Sequence, residues 1–180
     1  MVDYCEMAKG HPVHASYHDT EYGFPSRDEA VLFERLALEI MQAGLSWETT
    51  LKKRAALRAA FDGFDVDQVA AYGEKEVTRL LADASIIRNR RKIEAIIHNA
   101  KIIQSLRQEA GSFAAWLDSH HPSPKDSWVK LFKKTFFFTG GEIVGEFLMS
   151  LGYLEGAHKP ACPIVKKVQA AKKKHFASGI

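Results

Sequence analysis

The chain has 180 residues, 46% of them hydrophobic and 26% charged, enough apolar material for one domain to bury its own core. Its 25 basic and 22 acidic side chains leave a formal charge of +3, which argues neither for nor against a polyanionic partner. No window of eighteen uncharged apolar residues occurs, and Asp3, Glu6 and Lys9 break up any basic-then-apolar leader, so a cytoplasmic protein without a membrane span is expected.

Helical patterns dominate. Ser26 followed three residues later by Glu29 reads as a capping box, and Val31, Leu32, Leu36, Leu38, Ile40 and Met41 recur at helical spacing as far as Gly44, which predicts a helix over about 27–42. A second helix follows Ser46 and runs through Trp47, Leu51 and Leu57 to about Phe61, where Asp62-Gly63-Phe64-Asp65 forms a turn. Short helices are expected over 66–72 and 74–83.

The most regular helix is predicted from Arg88 to about Ala110, with Ile93, Ile96, Ile97, Ala100 and Ile103 on one stripe. Arg88, Arg90, Arg91 and Lys92 crowd its first turns, the unfavourable end of the helix dipole, so each needs a partner: phosphate, or nearby Glu94 and Asp83. Helices over 112–119, 126–135 and 141–151 follow, broken by Pro122 and Pro124 and by Gly140-Gly141. Phe136-Phe137-Phe138 is short enough to be a strand fragment or the wedge of a helical turn. After Glu155 no acidic residue occurs, and the lysine-rich tail reads either as a phosphate contact or as a solvated terminus.

The two cysteines lie near opposite ends, an improbable disulfide in a cytoplasmic chain. Cys5 and His18 form a Cys-x12-His pair and His158 and Cys162 a His-x3-Cys pair, which together would complete a closed tetrahedral zinc site. On spacing alone, buried free cysteines and ordinary histidines compete with that reading.

The run Ser16-Tyr17-His18-Asp19-Thr20-Glu21-Tyr22-Gly23-Phe24-Pro25, then Leu38-Glu39-Ile40-Met41-Gln42-Ala43-Gly44-Leu45-Ser46-Trp47-Glu48-Thr49, resembles the 3-methyladenine DNA glycosylase I family. Leu51-Lys52-Lys53-Arg54 and the run from Ile87 to Ala100 extend the resemblance, which spans Cys5 to Cys162.

The resemblance implies an all-α, helix-hairpin-helix glycosylase bundle forming one domain over 1–180, whose termini (1–25 and 152–165) are joined at one structural Zn2+ held by Cys5, His18, His158 and Cys162; 166–180 form the basic tail. It also implies monofunctional excision of 3-methyladenine from double-stranded alkylated DNA by base flipping, in a monomer, without a lysine Schiff base. Glu39 is then the catalytic carboxylate, accepting hydrogen bonds from the cationic purine as an ionised group. Trp47 is the stacking platform, Tyr17 completes the wall, and Met7 and Tyr22 line the pocket. Gly44 and Leu45 correspond to the loop pushed into the duplex, and Gly140-Gly141 presents backbone N–H groups to phosphate. The chain departs from the family at Met7 and Tyr22, where tryptophans are usual, and at Gly156-Ala157, where an acidic step precedes the histidine. The rival reading is a lesion-binding module of the same fold that does not cut DNA.

Overall fold

The computed structural model describes residues 3–177, which form eleven α-helices and one 3₁₀ turn and contain no strand. In chain order the helices are α1 (Tyr4–Ala8), α2 (Ala15–Thr20), α3 (Glu29–Gln42), α4 (Trp47–Ala60), α5 (Val66–Ala70), α6 (Glu74–Ala82), α7 (Arg90–Ala110), α8 (Phe113–Ser119), α9 (Lys125–Thr135), α10 (Gly141–Ser150) and α11 (Val165–Ala177). The all-α expectation holds. The short helices α1 and α2 and the lysine-rich α11 have too few periodic apolar positions to stand out in the sequence.

Helix α3 is the axis. Every residue from Leu32 to Met41 is buried, because α4, α7, α8 and α10 all pack on it. Its cap differs from the expected Ser26–Glu29 box: Asp28 accepts hydrogen bonds from the Ala30 and Val31 amides at 2.9 and 3.2 Å, and Ser26 instead accepts from the Asp28 amide. An anionic side chain at the cap also meets the positive end of the helix dipole, which a serine cannot do. Helix α7 starts at Arg90 rather than Arg88, with Asn89 as its cap. Of the crowded basic residues there, Arg90 pairs with Glu74 and Glu94, as a nearby acid would allow, while Asp83 instead binds Ser85.

Phe136–Phe138 is a turn between α9 and α10, not a strand. Asn99, fully buried on α7, clasps it with two hydrogen bonds: Oδ1 accepts from the Phe137 amide at 2.8 Å and Nδ2 donates to the Phe137 carbonyl at 3.1 Å. The lysine-rich tail is largely helical and docked. Phe176 of α11 stacks on His121, Val168 is buried, and Arg27 donates to the His175 carbonyl. Only 178–180 of the expected tail lie outside the described residues.

A network of ion pairs ties the N-terminal segment to α3 and α4. Arg54 donates to both oxygens of Glu21 at 2.8 and 2.7 Å and to both oxygens of Glu34 at 2.9 and 3.1 Å. Arg58 forks onto the same Glu34, and Arg35 joins Glu21 to the Ser150 carbonyl at the end of α10. Burial pushes the Glu34 carboxyl up, but the two guanidinium groups outweigh it and hold the group below the usual carboxylate range. Removing Arg54 leaves Glu21 with Arg35 alone and takes two of the five hydrogen bonds from the buried Glu34. Arg54→Ala is expected to cost about 3–5 kcal/mol in urea unfolding, with Arg54→Lys recovering less than half because an ammonium cannot fork.

Candidate active site

A cavity of about 730 Å³ opens between the N-terminal segment, the end of α3, the start of α4 and the start of α10. The sequence-derived residues Met7, Tyr17, Tyr22, Glu39, Gly44, Trp47, Gly140 and Gly141 all line it. Leu45 does not line the cavity itself; it projects beside it, 41% exposed.

Tyr17 and Trp47 form one corner, with ring centroids 5.2 Å apart and edge to face. Behind Tyr17 lie two guanidinium groups of the ion network, with Arg35 and Arg54 at 5.1 and 5.9 Å from the ring centroid. These cations fix the ring from the rear. The Tyr17 hydroxyl is buried without a hydrogen-bond partner. A phenol that has given up water and gained nothing in return is a donor held ready for a ligand.

Glu39 lies at the bottom, 5% exposed, and none of the described residues hydrogen-bonds to its carboxyl. Burial, reinforced by the charge of Glu146 and opposed only by Arg35, pushes its pKa up to about 8. In the free site it is therefore held protonated at neutral pH; the ionised carboxylate expected from the sequence belongs to the state with the cationic purine bound. Arg35, the one cation that acts on Glu39, turns its terminal nitrogens to Glu21 and the Ser150 carbonyl, and its Nε is buried without a hydrogen-bond partner.

Sequence reasoning passed over Tyr4, Glu142 and Glu146, which also line the cavity. Glu146 accepts a hydrogen bond from the Tyr22 hydroxyl at 3.2 Å. Its carboxyl is raised by burial and by Glu142, with the Tyr22 contact opposing. The only available signal was the i, i+4 spacing of two acids after a Gly-Gly turn, which on a helix is ordinary surface patterning. Lys92 was also misread. Its ammonium is buried and donates to the Met41 and Ala43 carbonyls at 2.9 and 2.6 Å, closing the C-terminal end of α3. Together with Gln42, which donates to the Leu45 carbonyl, it holds the loop that carries Gly44 in a left-handed turn at φ +81°.

Beside the cavity, the side chains of Cys5, His18, His158 and Cys162 converge, their ligand atoms all within 4.8 Å of one another. The measured edges are 3.9 Å (Cys5 Sγ to His158 Nδ1), 3.8 Å (Cys162 Sγ to His18 Nε2) and 3.5 Å (Cys162 Sγ to His158 Nδ1). These approximate the edges of a tetrahedron with metal–sulfur bonds of about 2.3 Å and metal–nitrogen bonds of about 2.0–2.1 Å. The outer nitrogens support the same reading. His18 Nδ1 lies 2.7 Å from the Asp19 carboxylate and His158 Nε2 lies 2.7 Å from the Tyr22 carbonyl, so each ring proton has an acceptor and each inner lone pair faces the sulfurs. Gly23, at φ +87°, lets the chain pass close: a Cβ there would lie 3.1 Å from Ala157 and 3.3 Å from His158.

A second group, His11, His14 and Glu48, is not equivalent. His11 Nδ1 accepts from the Val13 and His14 amides, which leaves its proton on Nε2, and Glu48 is paired with Lys52.

A family model described as methyladenine glycosylase matches residues 7–135. The chain is 39% identical over 177 residues to DNA-3-methyladenine glycosylase 1 of Escherichia coli (strain K12), covering 88% of this chain and 94% of that protein. It is 32% identical to DNA-3-methyladenine glycosylase of Haemophilus influenzae, covering 91% and 98%. Among solved structures it is similar to 3-methyladenine DNA glycosylase I from Staphylococcus aureus, with 34% identity and a TM-score of 0.81 over 89% of this chain and 95% of that one. It is equally similar to a variant of such an enzyme in complex with 3-methyladenine, with 32% identity and a TM-score of 0.81 over 91% and 97%.

The raised pKa of Glu39 has a stability consequence. Between the unfolded value near 4.5 and the folded value of about 8, the native state holds the proton that the unfolded chain has released, so stability falls as pH rises through that window. Glu39→Gln is expected to unfold much like the parent at about pH 4.5 and to be more stable by about 1–3 kcal/mol at about pH 9, as read from urea midpoints.

Proposed function

The chain belongs to the methyladenine glycosylase family, and from that premise we propose that it hydrolyses the N-glycosidic bond of 3-methyladenine in alkylated double-stranded DNA. The observation that carries the reading is the cavity itself, where an unpaired, deeply buried Glu39 faces an aromatic corner and a spare tyrosine hydroxyl.

Alkylation at N3 makes the purine cationic. At this buried carboxyl such a base is the counter-ion that Glu39 lacks, whereas neutral adenine would leave the carboxyl either protonated or uncompensated. Glu39 loses its proton when the cation arrives and accepts hydrogen bonds from the purine edge. Trp47 supplies a ring face that attracts the positive base, Tyr17 donates its free hydroxyl, and Met7 and Tyr22 close the walls. The bond to deoxyribose then breaks with its electron pair passing to the base, which departs neutral, so no strong general acid is needed. No lysine lines the cavity, and Lys92 is turned to backbone carbonyls, in keeping with hydrolysis by water rather than through a Schiff base.

The α9–α10 pair, with its Asn99-clasped turn and Gly140-Gly141 at the start of α10, serves as a helix-hairpin-helix unit whose amides meet backbone phosphate. Gly44 and the exposed Leu45 enter the gap left by the flipped nucleotide. Cys5, His18, His158 and Cys162 hold one Zn2+ with no open position. When bound, it cross-links the two termini and does not activate water. No described helix is long and apolar enough to cross a membrane.

Methylated duplex DNA tests the activity. The native chain is expected to release 3-methyladenine, with kcat/KM lowered about 10²-fold in Glu39→Ala and about 10-fold or more in Trp47→Ala. DNA binding without base release would instead indicate a lesion-binding module. Metal analysis tests the clip independently. One zinc per chain is expected in the native protein and loss of most of it in Cys5→Ser, while undiminished zinc would remove Cys5 as a ligand.

A further inference from the structure

Two cavity carboxylates, Glu142 and Glu146, have no part in the reaction just described. They stand one turn apart on α10 and descend from the mouth: Glu142 is exposed, Glu146 is half-buried, and Glu39 lies below at 5% exposure. The three are close enough for each charge to oppose ionisation of the next, Glu142 on Glu146 and Glu146 on Glu39.

Glu146 is held in place. Tyr22 donates to its Oε2, the Tyr22 ring is fixed edge-on against Tyr4 at 5.4 Å, and Oε1 has no hydrogen-bond partner among the described residues. In the reading given above, a nucleotide entering base first would bring its purine edge to Glu39 and leave its deoxyribose on the mouth side of the base, along the wall that Glu146 lines. The start of α10, directly above, is where the hairpin meets phosphate in the reading given above.

We propose that Glu146 stabilises the positive charge as it passes from the alkylated base to the deoxyribose in the transition state. The bond from C1′ to the base breaks, its electron pair leaves with the now neutral 3-methyladenine, and C1′ becomes oxocarbenium-like. A water oxygen then bonds to C1′, and the surplus water proton leaves to solvent through the open mouth. Glu146 neither forms a bond nor changes its charge in the step. It acts as a fixed anion placed where positive charge develops, and its effect is larger in the transition state than in the ground state because the charge moves toward it.

The inference rests on the glycosylase reading, and its test is arranged so that the two can fail separately. Duplex DNA carrying an uncleavable cationic pyrrolidine in place of one deoxyribose is compared with DNA carrying the neutral tetrahydrofuran analogue. The native protein is expected to bind the cationic analogue about 10-fold or more tighter. Glu146→Gln, which keeps an acceptor for Tyr22, is expected to lose that preference with tetrahydrofuran affinity unchanged, and to excise 3-methyladenine with kcat down about 10–10²-fold and KM nearly constant. A Glu146→Gln protein that keeps the full preference, or excises at the native rate, overturns the proposal. If this variant also loses tetrahydrofuran binding, Glu146→Asp decides, since restored charge preference supports the role and its absence refutes it. Failure of the native chain to release any 3-methyladenine would defeat the glycosylase reading instead, independently of the analogue affinities.

Discussion

The arrangement depends on keeping one carboxyl group buried and unpaired. Glu39 sits at the floor of an aromatic cavity with no hydrogen-bond donor of its own, a placement that costs stability whenever the group ionises. In the proposed function that cost is the source of selectivity, because a ligand that brings its own positive charge removes it. A free arginine or lysine in the same place would cancel the effect. Arg35 opposes the shift only in part, with its terminal nitrogens turned to Glu21 and a backbone carbonyl.

Much of the remaining structure holds the walls around that group. The Glu21–Arg54–Glu34 network fixes the N-terminal segment on α3 and α4 and places two cations behind Tyr17. The Cys and His cluster ties the same segment to the chain beyond α10, and one of its histidines donates to the carbonyl of Tyr22, a residue of the cavity wall. On the opposite side α7 acts as a spacer. Lys92 grips the Gly44 loop and Asn99 grips the Phe137 turn; they are two helical turns apart and therefore about 10 Å along one face. The separation between the Gly44 loop and the Phe137 turn, the two segments proposed to meet DNA, is thus set by a rigid element.

Most of the helices were legible in the sequence, since their buried faces repeat at helical spacing. The terminal helices α1, α2 and α11 were not, because they are stabilised by docking rather than by their own pattern. The signature residues were legible as a group but not in their separate roles. Glu21 and Arg54 lie in the runs that flank the one carrying Glu39 and Trp47, yet the structure pairs the first two with each other and leaves the second two facing the cavity. Ion pairing between residues 33 positions apart leaves no periodic trace. Glu146 was missed for a related reason: a glutamate on a helix is surface unless a cavity happens to open beside it. Lys92 reads as one more exposed cation in a basic run, and only the packed position of the α3 terminus shows that it is buried.

The protonation state of Glu39 can be read directly. Carbon-13 NMR of the glutamate side-chain carboxyls, titrated in the free protein and assigned with Glu39→Gln, reports the midpoint for that group alone. The account predicts a titration near pH 8, the value set by burial and by the neighbouring Glu146. A midpoint near 4.5, shared with the exposed glutamates, would mean that the carboxyl is solvated or paired, and that its burial does not select for a cationic base.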